Sequence, residues 1–256
     1  MKDHASKTKG LLWVGVAIVI GVICAYGLSP LAHAIPWSWE KKMGTAFSID
    51  LPGQECRANV QAEALLQKLV TRLYPLEPQD GDFSIDVQVV KNAQVNAYAT
   101  LGGNIYINSG LLKQAQSPDE IAGVLAHEIT HVAHRHIMEG AIEHAFTSAG
   151  LNALLGDNSS MAEWSNYFLK MDFSRRQEAQ ADEGGLQRLQ KAHIDNKGFK
   201  DFFARMEETT AAEQFLSDHP ANSARIAMVD QYPVQNPQPV MTPDEWKVLK
   251  SYCTDR

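Results

Sequence analysis

The chain has 256 residues, 45% of them apolar and 21% charged, which is the balance of a folded globular protein with one ordinary core and a short extra segment. A net charge of -7, without any basic patch interleaved with aromatics, argues against nucleic acid as a main partner. The three cysteines, Cys24, Cys56 and Cys253, show no C-x-x-C spacing, so a thiolate metal site is disfavoured.

Lys2, Lys7 and Lys9 precede an uncharged apolar run, Leu11 to Leu28, and then Pro30 and Ala32-His33-Ala34. This pattern predicts a targeting segment over residues 1–34 that stands outside the fold. The run is closer to the roughly 20 residues of a spanning helix than to the roughly 7–15 of a signal-peptide core, which favours an anchor over cleavage after Ala34. Either way the basic end stays cytoplasmic and the rest of the chain is exported. Residues 35–53 read as a linker, with Pro36, Trp37 and Trp39 where an interfacial aromatic belt would lie.

A folded domain is expected over 54–230. Ala62, Leu65, Leu66, Leu69 and Leu73 share one face of a helix over Ala58–Tyr74, which Pro75 and Pro78 end. Phe83, Ile85, Val87 and Val89 alternate with polar residues as in a half-buried strand. Asn96-Ala97-Tyr98-Ala99 and Ile105-Tyr106-Ile107 read as two more strands joined through Gly102-Gly103-Asn104. Ser117-Pro118-Asp119-Glu120 is a strong helix start, and with no Pro or Gly cluster before Gly140 the helix is expected to run through the motif that follows, with Val124, His127, His131, His134 and Met138 as one stripe.

That helix carries His127-Glu128-Ile129-Thr130-His131. At 3.6 residues per turn the two histidines lie on one face, one turn apart, where they can bind one Zn²⁺ with Glu128 beside the water position. Ile121, Leu125, Ile129 and Val132 form an apolar stripe, so the histidines sit at the edge of a core. His134 falls a turn beyond His131, too far along the axis for the same tetrahedral site, and reads as cleft wall. His136, His144 and His193 read as surface or packing residues.

Downstream, Glu178 and Asp182 stand four apart on a predicted helix, so both acids face one way. Such pairs are usually solvated. With a histidine pair available, the sharper reading makes Glu178 the third ligand and Asp182 the acceptor that orients a ligating ring. Phe199, Phe202, Phe203 and Met206 fit the core face of a later helix. Residues 231–256 read as a Pro-rich loop followed by a short helix that packs on the domain, capped by Thr242-Pro243-Asp244-Glu245 and holding Trp246 and Leu249. Export permits a disulfide between Cys56 and Cys253, the two cysteines outside the apolar run; two unpaired thiols are the alternative.

Three blocks, with a weaker fourth, give the chain a resemblance to a known family over roughly Gln54 to Val229. They are Asn96-Ala97 with Gly102-Gly103 and Gly110-Leu111-Leu112; His127 to His136; Ser174-Arg175 through Glu178 and Ala181-Asp182; and His219-Pro220 with Arg225-Ile226. The sequence resembles the gluzincin metalloendopeptidases of the HtpX and CAAX-prenyl-protease type, and within them the small exported bacterial members. Thr130 stands where Gly is common and Gln180 where Glu is common; neither is an expected ligand. The several membrane spans of HtpX-like members are missing.

The resemblance implies an α+β zincin-like domain, mostly helical, with a small sheet whose edge strand borders the zinc cleft. It implies one Zn²⁺ per chain on His127, His131 and Glu178, with Glu128 as general base towards metal-activated water. Asn96 and Ala97 would pair with an extended polypeptide substrate as an added strand. His219 would either donate to the developing oxyanion or plug the open metal position, and Arg225 would hold the loop or the substrate. The expected protein is a periplasm-facing, inner-membrane-anchored protease of misfolded exported or membrane-associated proteins. A chaperone-like client-binding module with latent protease activity is the alternative.

Overall fold

The computed structural model describes residues 27–46, 54–56, 59–146, 164, 167–168, 170–207, 219 and 223–253. The apolar run falls almost wholly outside these residues. Among the described residues no helix is long and apolar enough to cross a membrane.

Two short helices come first, α1 (Ser29–Ala34) and α2 (Trp37–Ala46). The linker expected over 35–53 is therefore corrected for 37–46. The physical reason lies in two side chains. Trp37 is 9% exposed and packs its ring 4.5 Å from that of Phe83, while the Glu40 carboxylate is buried beneath α2. The belt expectation divides accordingly, since Trp39 is 64% exposed and Trp37 belongs to the core.

A strand pair of residues, β1 (Gln54–Glu55), leads to α3 (Val60–Leu73), where the Asn59 side chain accepts from the Ala62 N–H. Leu66, Leu69, Val70 and Leu73 bury its inner face. Three strands follow: β2 (Asp86–Lys91), β3 (Ala97–Thr100) and β4 (Asn104–Asn108). The sheet order is β1-β2-β4-β3, with β2 and β4 parallel and the other neighbours antiparallel, so β3 is an edge. Val87, Val89, Ala97, Ala99, Ile105 and Ile107 alternate onto the buried face. Strand β2 starts later than the alternation suggests, because Phe83 turns to stack on Trp37 and Tyr74 instead of pairing.

Helix α4 (Ser109–Gln114) precedes α5 (Pro118–Ala133), the helix that carries the histidine pair. The Ser117 hydroxyl accepts from the Glu120 N–H at 3.3 Å, and Pro118 fills the first helical position. The expected continuation to Met138 is corrected. The helix ends at Ala133, Arg135 takes a left-handed φ of 62°, and a new helix, α6 (His136–Phe146), begins. A left-handed arginine is unfavourable alone. Here it is held from outside: its guanidinium pairs with Glu40, donates to the Ile35 carbonyl at 2.9 Å and lies 4.7 Å from the Trp37 ring centre.

The remaining described helices are α7 (Arg175–Lys191), α8 (Lys197–Glu207), α9 (Ser223–Val229) and α10 (Pro243–Lys250). Phe199, Phe202, Phe203 and Met206 bury one face of α8 against α5. Thr242 and Glu245 form the capping box of α10, and Leu249 anchors it.

Cys56 and Cys253 are joined in a disulfide across 197 residues of sequence, which staples the segment after α10 to the start of the domain. Such a crosslink chiefly restricts the unfolded chain. Cys253→Ser in the oxidised protein should lower unfolding free energy by about 2–5 kcal/mol in a denaturant titration. An unchanged midpoint would show that the staple carries no stability.

Candidate active site

Two helices build the site, and glycine sets their separation. On α7, a Cβ at Gly184 would stand 2.4 Å from the Thr130 side chain, and one at Gly185 would stand 3.2 Å from the His127 backbone nitrogen. Side chains at these two positions would push α7 off α5. With glycine there, the residues four apart on each helix meet: His127 and His131 from α5, Glu178 and Asp182 from α7. Thr130 accepts from the Arg188 Nε at 3.1 Å and donates to the Ala126 carbonyl at 2.8 Å, which pins the contact.

All of these side chains are buried, and His219 enters from the segment ahead of α9. His127 Nε2, His131 Nε2, a Glu178 oxygen and a His219 ring nitrogen lie within 4.8 Å of one another. The two Nε2 atoms are 3.0 Å apart, and His127 Nε2 is 3.2 Å from His219 Nδ1. Glu178 Oε1 is 3.3 Å from His131 Nε2 and 3.1 Å from His219 Nδ1. His127 Nε2 lies 3.6 Å from Glu178 Oε2.

The residues present fit a tetrahedral zinc ion. With bonds of about 2.0–2.1 Å, neighbouring ligand atoms of such a site stand about 3.3–3.4 Å apart, and the spacings here, from 3.0 to 3.6 Å, bracket that value. The chemistry agrees. His127 Nδ1 lies 3.1 Å from Asp182 Oδ1, and Nε2 points into the cluster. Without a metal the Glu178 and Asp182 carboxylates favour a proton on that ring, and a cation bound in the cluster would take the proton's place. Charge points the same way, because Glu178 and Asp182 are buried on one guanidinium, that of Arg225, and a third carboxylate, Glu128, is buried beside His219.

Arg225 on α9 donates from Nε to Asp182 Oδ2 at 2.7 Å and from Nη2 to Glu178 Oε2 at 2.8 Å, with its plane 4.2 Å from the Phe203 ring centre. It is buried and committed to these acids rather than turned to a substrate. Glu128 is fully buried, with Oε1 3.4 Å from His219 Nε2. Burial raises its pKa above the ordinary carboxylate value, against the opposing pull of the His219 and His127 rings. Burial also acts to raise Glu178, but the His219 and His127 rings outweigh it and hold that carboxyl well below the usual range. Burial disfavours a charged His127, yet Glu178 and Asp182 overcome this and push it up to about 9.

Asn96 and Ala97 lie at the edge of the sheet, beside α5. The Asn96 side chain accepts from the Ala97 N–H at 3.0 Å, and both side chains are buried, so the backbone of β3 is what this edge presents. His134 stays outside the cluster, its ring 5.5 Å from that of His136. The expectation for His136 is corrected: it is buried with Nδ1 3.0 Å from His131 Nδ1, and burial pushes its pKa down to about 3. Phe173 is a second residue missed, its ring 3.8 Å from His131 and 6.0 Å from His219, a hydrophobic cover on the ligands. No local spacing signals either residue. His136 follows a helix break that depends on Glu40, and Phe173 precedes its helix.

The sequence profile of Peptidase family M48 matches residues 61–232, a span that includes every one of these side chains. The chain belongs to peptidase family M48. It carries that family's zinc metallopeptidase domain, and the buried histidine–glutamate cluster is the place for the metal. Among M48 relatives, the mitochondrial metalloendopeptidase OMA1 of Schizosaccharomyces pombe is 30% identical over 162 residues, covering 59% of this chain and 48% of that protein. The metalloprotease LoiP of Escherichia coli is 30% identical over 154 residues, covering 55% and 60%. The beta-barrel assembly-enhancing protease of the same bacterium is 28% identical over 162 residues, covering 54% and 32%. The chain thus spans between about a third and three-fifths of the length of these relatives.

Purified protein should contain about one zinc per chain. Asp182→Ala should weaken zinc binding by about 10–100-fold in a chelator competition. Full zinc retention by a His127→Ala, His131→Ala double variant would remove the metal from this cluster.

Proposed function

We propose that this protein is a zinc metalloendopeptidase that cleaves extended segments of misfolded, exported or membrane-associated proteins. The carrying observation is Glu128: a buried carboxylate beside the four-atom cluster, on the helix that packs against β3, the last strand of the sheet among the described residues.

His127, His131 and Glu178 would hold the ion. When bound, zinc supplies Lewis acidity, which lowers the pKa of water towards about 7 and polarises a carbonyl. Glu128 takes the proton from the attacking water and returns it to the leaving amine nitrogen. Its raised pKa suits both transfers, since it makes the carboxylate a stronger base and the carboxylic acid a usable donor. The β3 backbone pairs with the substrate as an added strand, which selects unfolded or extended polypeptide over folded domains. Arg225 orients Glu178 and Asp182 and does not bind substrate. The apolar run at the N-terminus and the Cys56–Cys253 disulfide support an envelope location with the domain in an oxidising compartment. One bacterial relative is named for enhancing β-barrel assembly, which fits an envelope role, and the mitochondrial relative shows that family membership alone does not fix the compartment.

Glu128→Gln keeps the shape and removes the basic oxygen. It should give a folded, zinc-loaded protein with casein cleavage reduced to background. Cleavage at the wild-type rate would take Glu128 out of the mechanism.

His219 has two candidate roles, and its position favours one. Nδ1 lies among the ligand atoms, in the place a substrate carbonyl or water would need, so His219 holds the resting enzyme latent. On this reading the client-binding alternative describes the resting state rather than a different protein. His219→Ala should raise turnover of a short peptide and increase self-cleavage. A fall of about 10²–10³ in turnover would assign His219 to oxyanion stabilisation instead.

A further inference from the structure

We infer that the outer face of α2 lies on a lipid bilayer with anionic headgroups, and that this contact fixes how the cleft faces the membrane. It rests on the reading of the N-terminal apolar run as an anchor, and it adds a surface that no step of the proposed reaction uses.

At 3.6 residues per turn, two positions along a helix is about 200° around it. Trp39 therefore stands nearly opposite Trp37, and Lys42 nearly opposite Glu40. The inward pair is sealed, Trp37 at 9% exposure and Glu40 at 2%. The outward pair is in solvent: Trp39 is 64% exposed, and Lys42 is exposed beside it, as are Pro36 and Lys41. A single exposed apolar side chain is ordinary on a protein surface. The company of Trp39 is what distinguishes it. From Gly27 to Ala46 the side chains with a formal charge are Glu40, Lys41 and Lys42. The Glu40 carboxylate is committed inward, to Arg135 and to the Gly102 N–H at 3.3 Å. The formal charge this stretch turns outward is therefore positive, on a chain whose net charge is -7. Lysines beside a tryptophan, with no exposed acid among them, match an anionic headgroup layer: the indole has an apolar body and a donor N–H, and the ammonium groups meet phosphate.

Place in the chain selects a bilayer over other anionic surfaces. The uncharged run Leu11–Leu28 ends at the N-cap of α1, and α2 follows within ten residues. A run set in a bilayer delivers α1 and α2 at the headgroup level. At ten residues, with two lysines, α2 is too short and too polar to span and would lie along the surface. Its inward side is built into the cleft. Trp37 packs on Phe83 and lies under the Arg135 guanidinium, and Glu40 holds both the end of α5 and the turn after β3. A bilayer that holds α2 therefore holds β3 at a set height and tilt above the headgroups. That placement favours polypeptide emerging from, or lying along, the membrane over segments free in solution.

The test uses the full chain in vesicles of phosphatidylcholine and phosphatidylglycerol whose acyl chains carry bromine, a short-range quencher of tryptophan emission. Trp13, Trp37, Trp164 and Trp246 are common to the wild type and Trp39→Phe, so the difference between the two spectra reports Trp39. That difference should be quenched, and more by bromine near the headgroups than by bromine at the chain ends. An unquenched difference overturns the docking. If it is also blue-shifted, protein such as a second copy of the chain covers the face instead. A second measurement reads function. Trp39→Ala with Lys41→Gln and Lys42→Gln should leave kcat/KM on a free peptide unchanged. On the same peptide tethered to lipid, kcat/KM should fall at least about fivefold, the weight of one lysine at an anionic surface. Equal loss on both peptides overturns the inference, as does no loss on either. All three positions are exposed, and zinc content checks that the variant is folded. A full chain that fails to float with the vesicles brings down the anchor reading and the docking together. A chain that floats with Trp39 unquenched brings down the docking alone.

Discussion

Three carboxylates buried together, two of them on one guanidinium, form the constraint on which this structure turns. Glu178 and Asp182 are sealed from water against Arg225, and Glu128 is sealed beside His219. Each buried ion loses several kcal/mol of hydration, which only close and well-directed partners offset. Arg225 does this for two of the acids with one planar group. On the proposed ligand set, a divalent cation at the meeting point of His127, His131 and Glu178 would supply the charge still lacking. Metal binding would then be coupled to the packing of α5, α7 and α9, because the same contacts would serve both. The close approach enabled by Gly184 and Gly185 has the same logic, since a wider gap between α5 and α7 would leave the acids without their rings.

What the sequence made legible was local. His127 with His131 and Glu178 with Asp182 are pairs at helical spacing, and helical spacing is readable without any tertiary knowledge. Caps were legible for the same reason: Ser117 and Thr242 bond within three residues of themselves. Which two helices would meet was not local, and came only from the resemblance. His219 and Arg225 were likewise placed by chain order. Their own spacing carries no such information, and a histidine before proline reads most simply as a turn.

The misreadings share a physical cause. A helix was expected to run through His136 because no residue from Ser117 to Met138 breaks it from within. The break at Arg135 is imposed by Glu40, Trp37 and Ile35, about a hundred residues earlier in sequence. A left-handed arginine persists only where the surroundings over-determine it, and those surroundings lay in a stretch that read as linker. One error thus produced the other. Once α2 is recognised as folded, the break follows. Once the break is in place, His136 turns inward onto His131 instead of continuing along the helix surface.

Glu40 also reaches the other side of the cleft. Its Oε1 accepts from the Gly102 N–H at 3.3 Å, in the 3-10 turn Leu101–Gly103 that joins the edge strand β3 to β4. The same carboxylate pairs with Arg135, at the end of the helix that bears the ligands. Gly102 has a φ of 82° and Gly44 of α2 packs so close to Leu101 that a Cβ there would stand 2.3 Å from its carbonyl oxygen. The turn and the N-terminal helix are therefore fitted to each other, and neither can shift alone. On the proposed mode of binding, a substrate strand added to β3 would have to align its scissile bond with Glu128 on α5, and that alignment would depend on the offset between strand and helix. One buried carboxylate fixes both ends of that offset. The segment nearest the apolar run is on this account a structural reference for the cleft, joined to it by the Glu40–Arg135 ion pair, the Arg135–Ile35 hydrogen bond and the Gly102–Glu40 hydrogen bond.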